Sequence, residues 1–144
     1  MTVRCATTDD IPRLMELARA EHMDSRFKHE QFDSVVSARN FESAIRGMLT
    51  CVFISEKQGG FIAGMVQPCL HNKFMRAYEL CWYAQDGSGL QLLDALTKWA
   101  KKMRALEVVV SNYAGMVPAD KFTAVMKRKG FPILGTSYSK NLET

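Results

Sequence analysis

Hydrophobic positions along the chain change period several times, and each change marks an element. A short strand is expected over residues 2–6, followed by Thr7-Thr8-Asp9-Asp10, which offers N-cap and first-turn acids, with Pro12 in the opening turn of a helix. Ile11, Leu14, Met15 and Ala18 give that helix one apolar face. From residue 22 to 31 the pattern fails and a polar loop is expected, bordered by Phe27 and Phe32. Asp33 then caps a second helix whose stripe is Val35, Ala38, Phe41, Ile45 and Met48, with Gly47 weakening its end.

Residues 51–55 and 61–66 are compact apolar runs separated by Gln58-Gly59-Gly60, the mark of a hairpin. The polar tip His71-Asn72-Lys73 leads to a third run over 75–84, so an antiparallel meander is expected, with Pro68 arguing for a bulge or an edge near the end of its middle strand. A Gly87-Ser88-Gly89 turn follows. Leu92, Leu93, Leu96, Trp99, Ala100 and Met103 then form the broad stripe of a helix that packs on the sheet. Residues 107–110 have the composition of a fully buried strand, and the helix before them makes a parallel crossover the natural connection. Pro118 opens a last helix containing Phe122, Val125 and Met126, Lys129-Gly130 closes it, and a final strand is expected over 133–142. The expected order is β-α-α-β-β-β-α-β-α-β, an α+β chain with a mixed, mostly antiparallel central sheet.

At 144 residues, without repeat, linker or low-complexity tract, residues 1–144 are expected to form one domain. The hydrophobic share of 47% and charged share of 24% suit a soluble chain, no apolar run approaches a membrane span, and the N-terminus lacks a signal core, so a cytoplasmic location is expected. Cys5, Cys51, Cys69 and Cys81 form no C-x-x-C pair and are expected as buried, reduced thiols; His22, His29 and His71 lack metal-ligand spacing, so no metal is expected. The formal charge of +4 is uneven, with basic clusters at Lys98–Arg104 and Lys121–Lys129. A nucleic-acid partner would want exposed aromatics among those lysines, whereas Trp99 and Phe122 sit on apolar faces.

Strand, glycine turn and helix in that order make an anion site: the first amides of a helix lack internal partners, its dipole adds positive charge, and glycine allows close approach. A dinucleotide site is disfavoured because Leu92 stands where G-x-G-x-x-G needs its third glycine and hairpins, not a βαβ unit, precede the turn. The order of elements, with the TTDDIPRLMELA opening, the strand containing Gly64, the GSGLQLLDALTKWA turn and helix, and the MKRKGF ending of the last helix, resembles the GNAT family of acyl-CoA-dependent N-acyltransferases, most of all its short phage and prophage members. The resemblance implies an α/β-type fold with helices on both sheet faces and acetyl-CoA as cosubstrate, lying in a gap between the fourth and fifth strands. It implies cofactor contacts along Cys81, Trp82 and Tyr83 and over the turn Gln85, Asp86, Gly87, Ser88, Gly89 and Leu90. It implies Glu79 as the base that takes the amine proton, and acceptor contacts from Asp24, Arg26 and Glu30 in the variable loop.

Two positions depart from the family pattern. Ala84 occupies the place of the usual Arg or Gln before the glycines, and Met126 stands where many members carry the tyrosine that protonates the thiolate. Tyr83, Tyr113 or Tyr138 are the replacements available, and Tyr138, in the last strand, is assigned beside Glu79 as a catalytic candidate. Losing one acid removes roughly 10²- to 10⁴-fold, less than the effective molarity of about 10⁵ to 10⁸ M that positioning supplies. The expected function is therefore acetyl transfer to a primary amine, of a small molecule or a protein; the alternative is a GNAT-fold protein that binds acyl-CoA or serves structurally without catalysis. The short C-terminus leaves a sheet edge that a second subunit could pair, giving a homodimer.

Overall fold

The protein, described here as a computed structural model over residues 2–142, is built on one five-stranded sheet in the order β1-β2-β3-β4-β5. β1 (Val3–Cys5), β2 (Thr50–Ser55), β3 (Gly60–Pro68) and β4 (Met75–Ala84) pair antiparallel in turn, and β5 (Ala105–Val109) joins β4 in parallel. The hairpin, the meander and the crossover thus stand as expected.

Between β1 and β2 the chain forms two helices. Asp10 closes the turn at Thr8–Asp10 ahead of α1 (Ile11–Asp24), accepting the Thr7 amide at 2.8 Å and both terminal nitrogens of Arg4 at 2.8 Å. The Arg4 hydrogen bonds, opposed by burial and aided by Thr7, pull the Asp10 carboxyl down to about 2. A depressed acid contributes stability above its unfolded value and loses it as pH falls through the folded one. We therefore expect Asp10→Asn to cost on the order of 1–2 kcal/mol at neutral pH, after discounting for the exposure of Arg4, and the difference from the parent to vanish near pH 2 in urea unfolding.

α1 runs on through His22 to Asp24, three residues into the stretch expected as loop, because Leu14, Leu17 and Ala18 hold it on the sheet. α2 (Ser34–Arg46) starts at Asp33, whose carboxylate accepts the Val35 and Val36 amides at 3.0 Å each. Only Phe41 of its expected stripe is fully buried, set edge-on to Phe61 with ring centroids 5.5 Å apart; Val35 and Met48 are exposed, since the short helix meets the sheet mainly through its middle.

The two faces carry separate cores. Leu14, Leu17, Phe41, Ile54 and Phe61 pack under α1 and α2. On the other face Ile62, Leu92, Leu93, Leu96 and Met126 pack under α3 (Gly89–Lys102) and α4 (Ala119–Arg128). α4 ends as its Lys129-Gly130 pair implies: Gly130 turns to φ 86°, and the amides of Gly130 and Phe131 return to the carbonyls of Lys127 and Met126.

Several expectations give way. Pro68 merely ends β3 opposite Met75; the bulge lies in β4, where Ala63 pairs with Cys81 but Gly64 pairs with Glu79, leaving Leu80 as the extra residue. Cys5 is exposed on the short β1, although Cys51 and Cys69 are buried. The expected final strand is missing: residues 132–142 belong to no strand and are all exposed. An alternating pattern can propose a strand but supplies no edge for it. As a result β5 is the outer strand of the sheet, and Glu107 within it is exposed, not buried.

Candidate functional site

β4 and β5 begin side by side and then part. Their last paired residues are Tyr78 and Val109, yet β4 continues to Ala84. Beyond that point the Ser111 amide still reaches Glu79 Oε1 at 3.5 Å, and past it the gap opens into a cleft of about 1020 Å³. The parallel pairing makes the opening possible, because β5 need not turn back along β4.

One end of the cleft is the glycine turn. Gly87 takes φ 79°, a value that favours glycine, and Ser88 caps α3. Gly87, Gly89 and Leu90 line the cleft beside Gln85, so the start of α3, where helix amides lack intrahelical partners, borders it. Trp82 braces the turn from below, its indole N–H donating to the Gly89 carbonyl at 3.1 Å. Cys81 and Tyr83 complete the β4 wall, and Lys121 of α4 supplies a cation on the opposite side.

Asp86 and Ser88, expected among the cofactor contacts, are instead turned away from the cleft. Asp86 accepts hydrogen bonds from the Ser88 hydroxyl at 2.5 Å, the Ser88 amide at 3.1 Å and the Ser55 hydroxyl at 2.7 Å. The Gly59 amide donates to Ser55 Oγ at 3.1 Å, so this carboxylate ties the β2–β3 turn to the turn before α3. Burial would raise its pKa, but the Ser88 and Ser55 hydrogen bonds prevail and hold it below the usual carboxylate range.

The other end is acidic. Glu79 is pushed up to about 7, chiefly by burial and further by the Glu21 charge, against the opposing Ser111 amide. Burial also raises Glu21, on the last turns of α1. Asp24 lines the same end and accepts from the Tyr83 hydroxyl at 2.7 Å, while Gln85 Nε2 donates to that hydroxyl at 3.2 Å. Cys81 stays a thiol, raised well above its ordinary value by burial and by the Glu21 and Glu79 charges.

The remaining expected residues divide. Arg26 does not line the cleft: its Nε donates to the Tyr113 carbonyl at 2.5 Å, its amide donates to Ala114 O at 2.9 Å, and its guanidinium lies 4.4 Å from the Phe27 ring centroid. It joins the loop after α1 to the loop after β5, and so holds Phe27 and Tyr113 at the cleft mouth. Glu30 is exposed outside the cleft, where its carbonyl meets the His22 ring at 2.8 Å. Tyr138 is 92% exposed in the C-terminal segment, away from the cleft, whereas Tyr113 lies within it and has its pKa raised by burial and by the Glu79 charge. Met126 is buried at the base of the cleft and offers no proton.

Glu21 was not among the expected site residues, although the sequence carries a signal for it. It stands seven residues after Leu14, four after Leu17 and three after Ala18, which places a carboxylate on the buried stripe of α1.

No family model matches the sequence, and no curated protein matches it. Solved structures do. A putative acetyltransferase from Agrobacterium tumefaciens superposes with a TM-score of 0.75 at 13% identity, covering 98% of this chain and 99% of that one. A ribosomal-protein-alanine N-acetyltransferase from Brucella melitensis biovar Abortus gives 0.72 at 13%, covering 99% and 100%. The fold is that of the GNAT acetyltransferases. An aminoglycoside acetyltransferase from an uncultured soil metagenomic sample, solved with sisomicin, has a TM-score of 0.64 at 14% identity, covering 99% and 94%. At such identities the GNAT-type fold is what is shared, and the likeness to short phage members rests on sequence pattern alone.

Proposed function

We propose that the chain, acting as one domain in the cytoplasm, transfers an acetyl or other acyl group from acyl-CoA to a primary amine. The observation that carries this reading is a single cleft with a glycine turn at the start of α3 at one end and the raised carboxyl of Glu79 at the other. The amides of Gly87, Gly89 and Leu90, with Lys121 across from them, suit a pyrophosphate. The thioester would then lie along β4, where the bulge frees backbone at Leu80 to donate an N–H to the developing oxyanion.

The amine arrives as an ammonium and must lose a proton before it attacks. Glu79, with a pKa near neutrality, suits that transfer, directly or through water. The amine nitrogen bonds to the acyl carbon, the C–S bond breaks, and the thiolate takes a proton from Tyr113 or from water. Cys81 is a poor competitor for the acyl group, since its thiol is held protonated by burial and two neighbouring carboxylates. Direct transfer is therefore favoured over an acyl-enzyme. The acidic end formed by Glu21, Asp24 and Glu79 favours a cationic amine, whether on a small molecule or a protein. A homodimer would cover the open edge of β5.

The second reading, a protein that binds acyl-CoA without catalysis, is favoured by Met126, a non-acid at the base of the cleft. Isothermal titration with acetyl-CoA is the first test, and saturable binding is expected. Absence of binding at millimolar ligand would sink acyl transfer altogether. Binding without turnover across a broad amine panel would support the non-catalytic reading.

A further inference from the structure

The ion pairs of the described residues, Arg4–Asp10, Arg13–Glu16, Arg46–Glu42, Arg76–Glu107 and Lys129–Asp94, all lie outside the cleft. Glu21, Asp24 and Glu79 line it, and among the described residues none of the three takes part in an ion pair. The chain does not lack cations, since its formal charge is +4, but Arg26 is turned to the Tyr113 carbonyl and the Phe27 ring, and Lys121 belongs to α4. Like charges converging in one cleft oppose one another, and a cation brought by the ligand relieves them. The acyl-transfer reading uses only Glu79. Asp24 is nevertheless held in place from β4: the Tyr83 hydroxyl donates to its Oδ2 at 2.7 Å, and Gln85 Nε2 donates to that hydroxyl at 3.2 Å, which directs the hydroxyl proton toward Asp24. Its Oδ1 accepts no hydrogen bond among the described residues. Tyr83 follows Glu79 by four residues, so roughly 10–13 Å of β4 lies between the base and the tyrosine that meets Asp24.

We propose that the acceptor is an alkyl diamine, one nitrogen of which is acylated beside Glu79 while the other, still an ammonium, is bound by Asp24, with Tyr83 positioning that carboxylate. The inference rests on the acyl-transfer reading above and adds the class of acceptor to it. At neutral pH both nitrogens arrive protonated, since an alkylammonium resembles that of lysine, with a pKa of about 10.4. One ammonium gives its proton to Glu79, its nitrogen bonds to the acyl carbon, the C–S bond breaks and the thiolate takes a proton as above. The second ammonium keeps its charge throughout. Its contact with Asp24 is therefore the same before and during transfer, and belongs in KM more than in kcat. A free diamine suits the entry better than a protein surface does, because the mouth is bridged: the Phe27 and Tyr113 rings lie 5.5 Å apart, and Arg26 donates across to the Tyr113 and Ala114 carbonyls. A slim, unbranched chain passes where a folded surface meets those two loops.

The test compares kcat/KM for pentamethylenediamine, pentylamine and the amino alcohol of the same length, at saturating acetyl-CoA, in the parent, Asp24→Asn and Tyr83→Phe. The expected result is a preference of at least about tenfold for the diamine over both monoamines, carried by KM, because hydrogen bonds between charged groups are the strong ones. Asp24→Asn keeps an acceptor for the Tyr83 hydroxyl but removes the charge, and should bring the ratio of diamine to pentylamine down to about two, the factor left by two equivalent nitrogens. Tyr83→Phe should lower the ratio part of the way. A ratio cancels any general loss of activity, and Asp24 is exposed, so folding of the variant is not at stake. Equal turnover of all three amines, or a bound acetyl-CoA that none of them discharges, would leave acyl transfer standing and overturn the diamine. A preference that survives Asp24→Asn would overturn Asp24 as the seat of the second charge, and one unmoved by Tyr83→Phe would overturn the positioning role. A lysine peptide used in preference to the diamine would overturn the small-molecule acceptor. Failure of acetyl-CoA to bind at all would remove the acyl-transfer reading and this inference with it.

Discussion

Replacing Glu79 with glutamine should lower turnover by roughly 10²- to 10⁴-fold while leaving acetyl-CoA affinity within about twofold, because the amide keeps the shape but cannot accept the amine proton. The pH profile carries more information than the loss itself. With Glu79 held near 7, kcat/KM of the parent should rise as the pH passes through about 7 and then level off. The glutamine variant should lose that limb. Glu21→Gln should keep it but move it to lower pH, since the Glu21 charge helps raise Glu79. An unchanged limb in Glu79→Gln would remove Glu79 as base. Stability should move the opposite way. An acid raised on folding contributes stability that is complete below its unfolded value and lost as pH rises through the folded one. Above pH 7 the parent therefore holds a partly buried charge, and Glu79→Gln should be more stable than it by about 1–3 kcal/mol in urea unfolding at pH 8.

The second large effect is expected from Asp86→Ala. Ser55 and Ser88 are both 0% exposed, and their hydroxyls, with the Ser88 amide, all donate to this one carboxylate. Truncation strands them, and each buried unmade hydrogen bond costs about 1–3 kcal/mol, so a non-additive total of about 2–5 kcal/mol is expected. Room for relaxation is limited on one side: a Cβ at Gly60 would lie 2.6 Å from Ser88 Oγ, so the two turns already sit close together. The effect should extend to ligand binding. Once Asp86 releases Ser88, the amides of Gly87, Gly89 and Leu90 are no longer held in place, and acetyl-CoA should bind about tenfold more weakly at a temperature where the variant remains folded. Loss of stability with unchanged affinity would show that the turn is held without this carboxylate.

How far the sequence foretold these features depends on whether they were local. Asp33 as a cap, Gly130 as a helix stop and Gly87 in its left-handed turn all follow from neighbours within a few residues. Glu79 was legible too, since a carboxylate inside an apolar run advertises its environment. Asp86 and Ser88 show what stays hidden: a polar turn next to glycines suits either a ligand or an internal brace, and the bond from Ser55, which arrives from β2, a distant strand, is not visible from the turn itself. Arg26 is similar: beside its neighbour Phe27 it bonds the Tyr113 carbonyl, 87 residues away, a contact that its own loop does not announce. The segment 133–142 has the right alternation, but whether an edge accepts it is a property of the assembled sheet.

The extra residue at Leu80 divides β4 into two functional territories. Before it, Ala77 faces the core shared with Val66 and Ala100; after it, the alternation is out of step, so Cys81 and Tyr83 turn toward α1 while Trp82 and Ala84 turn toward α3. Had the strand kept strict alternation, Ala77, Cys81 and Tyr83 would share one face, and the Tyr83–Asp24 bond could not form. Changes over residues 75–78 should therefore be felt in the core under the end of α3, and changes at Cys81 and Tyr83 at the wall of the cleft.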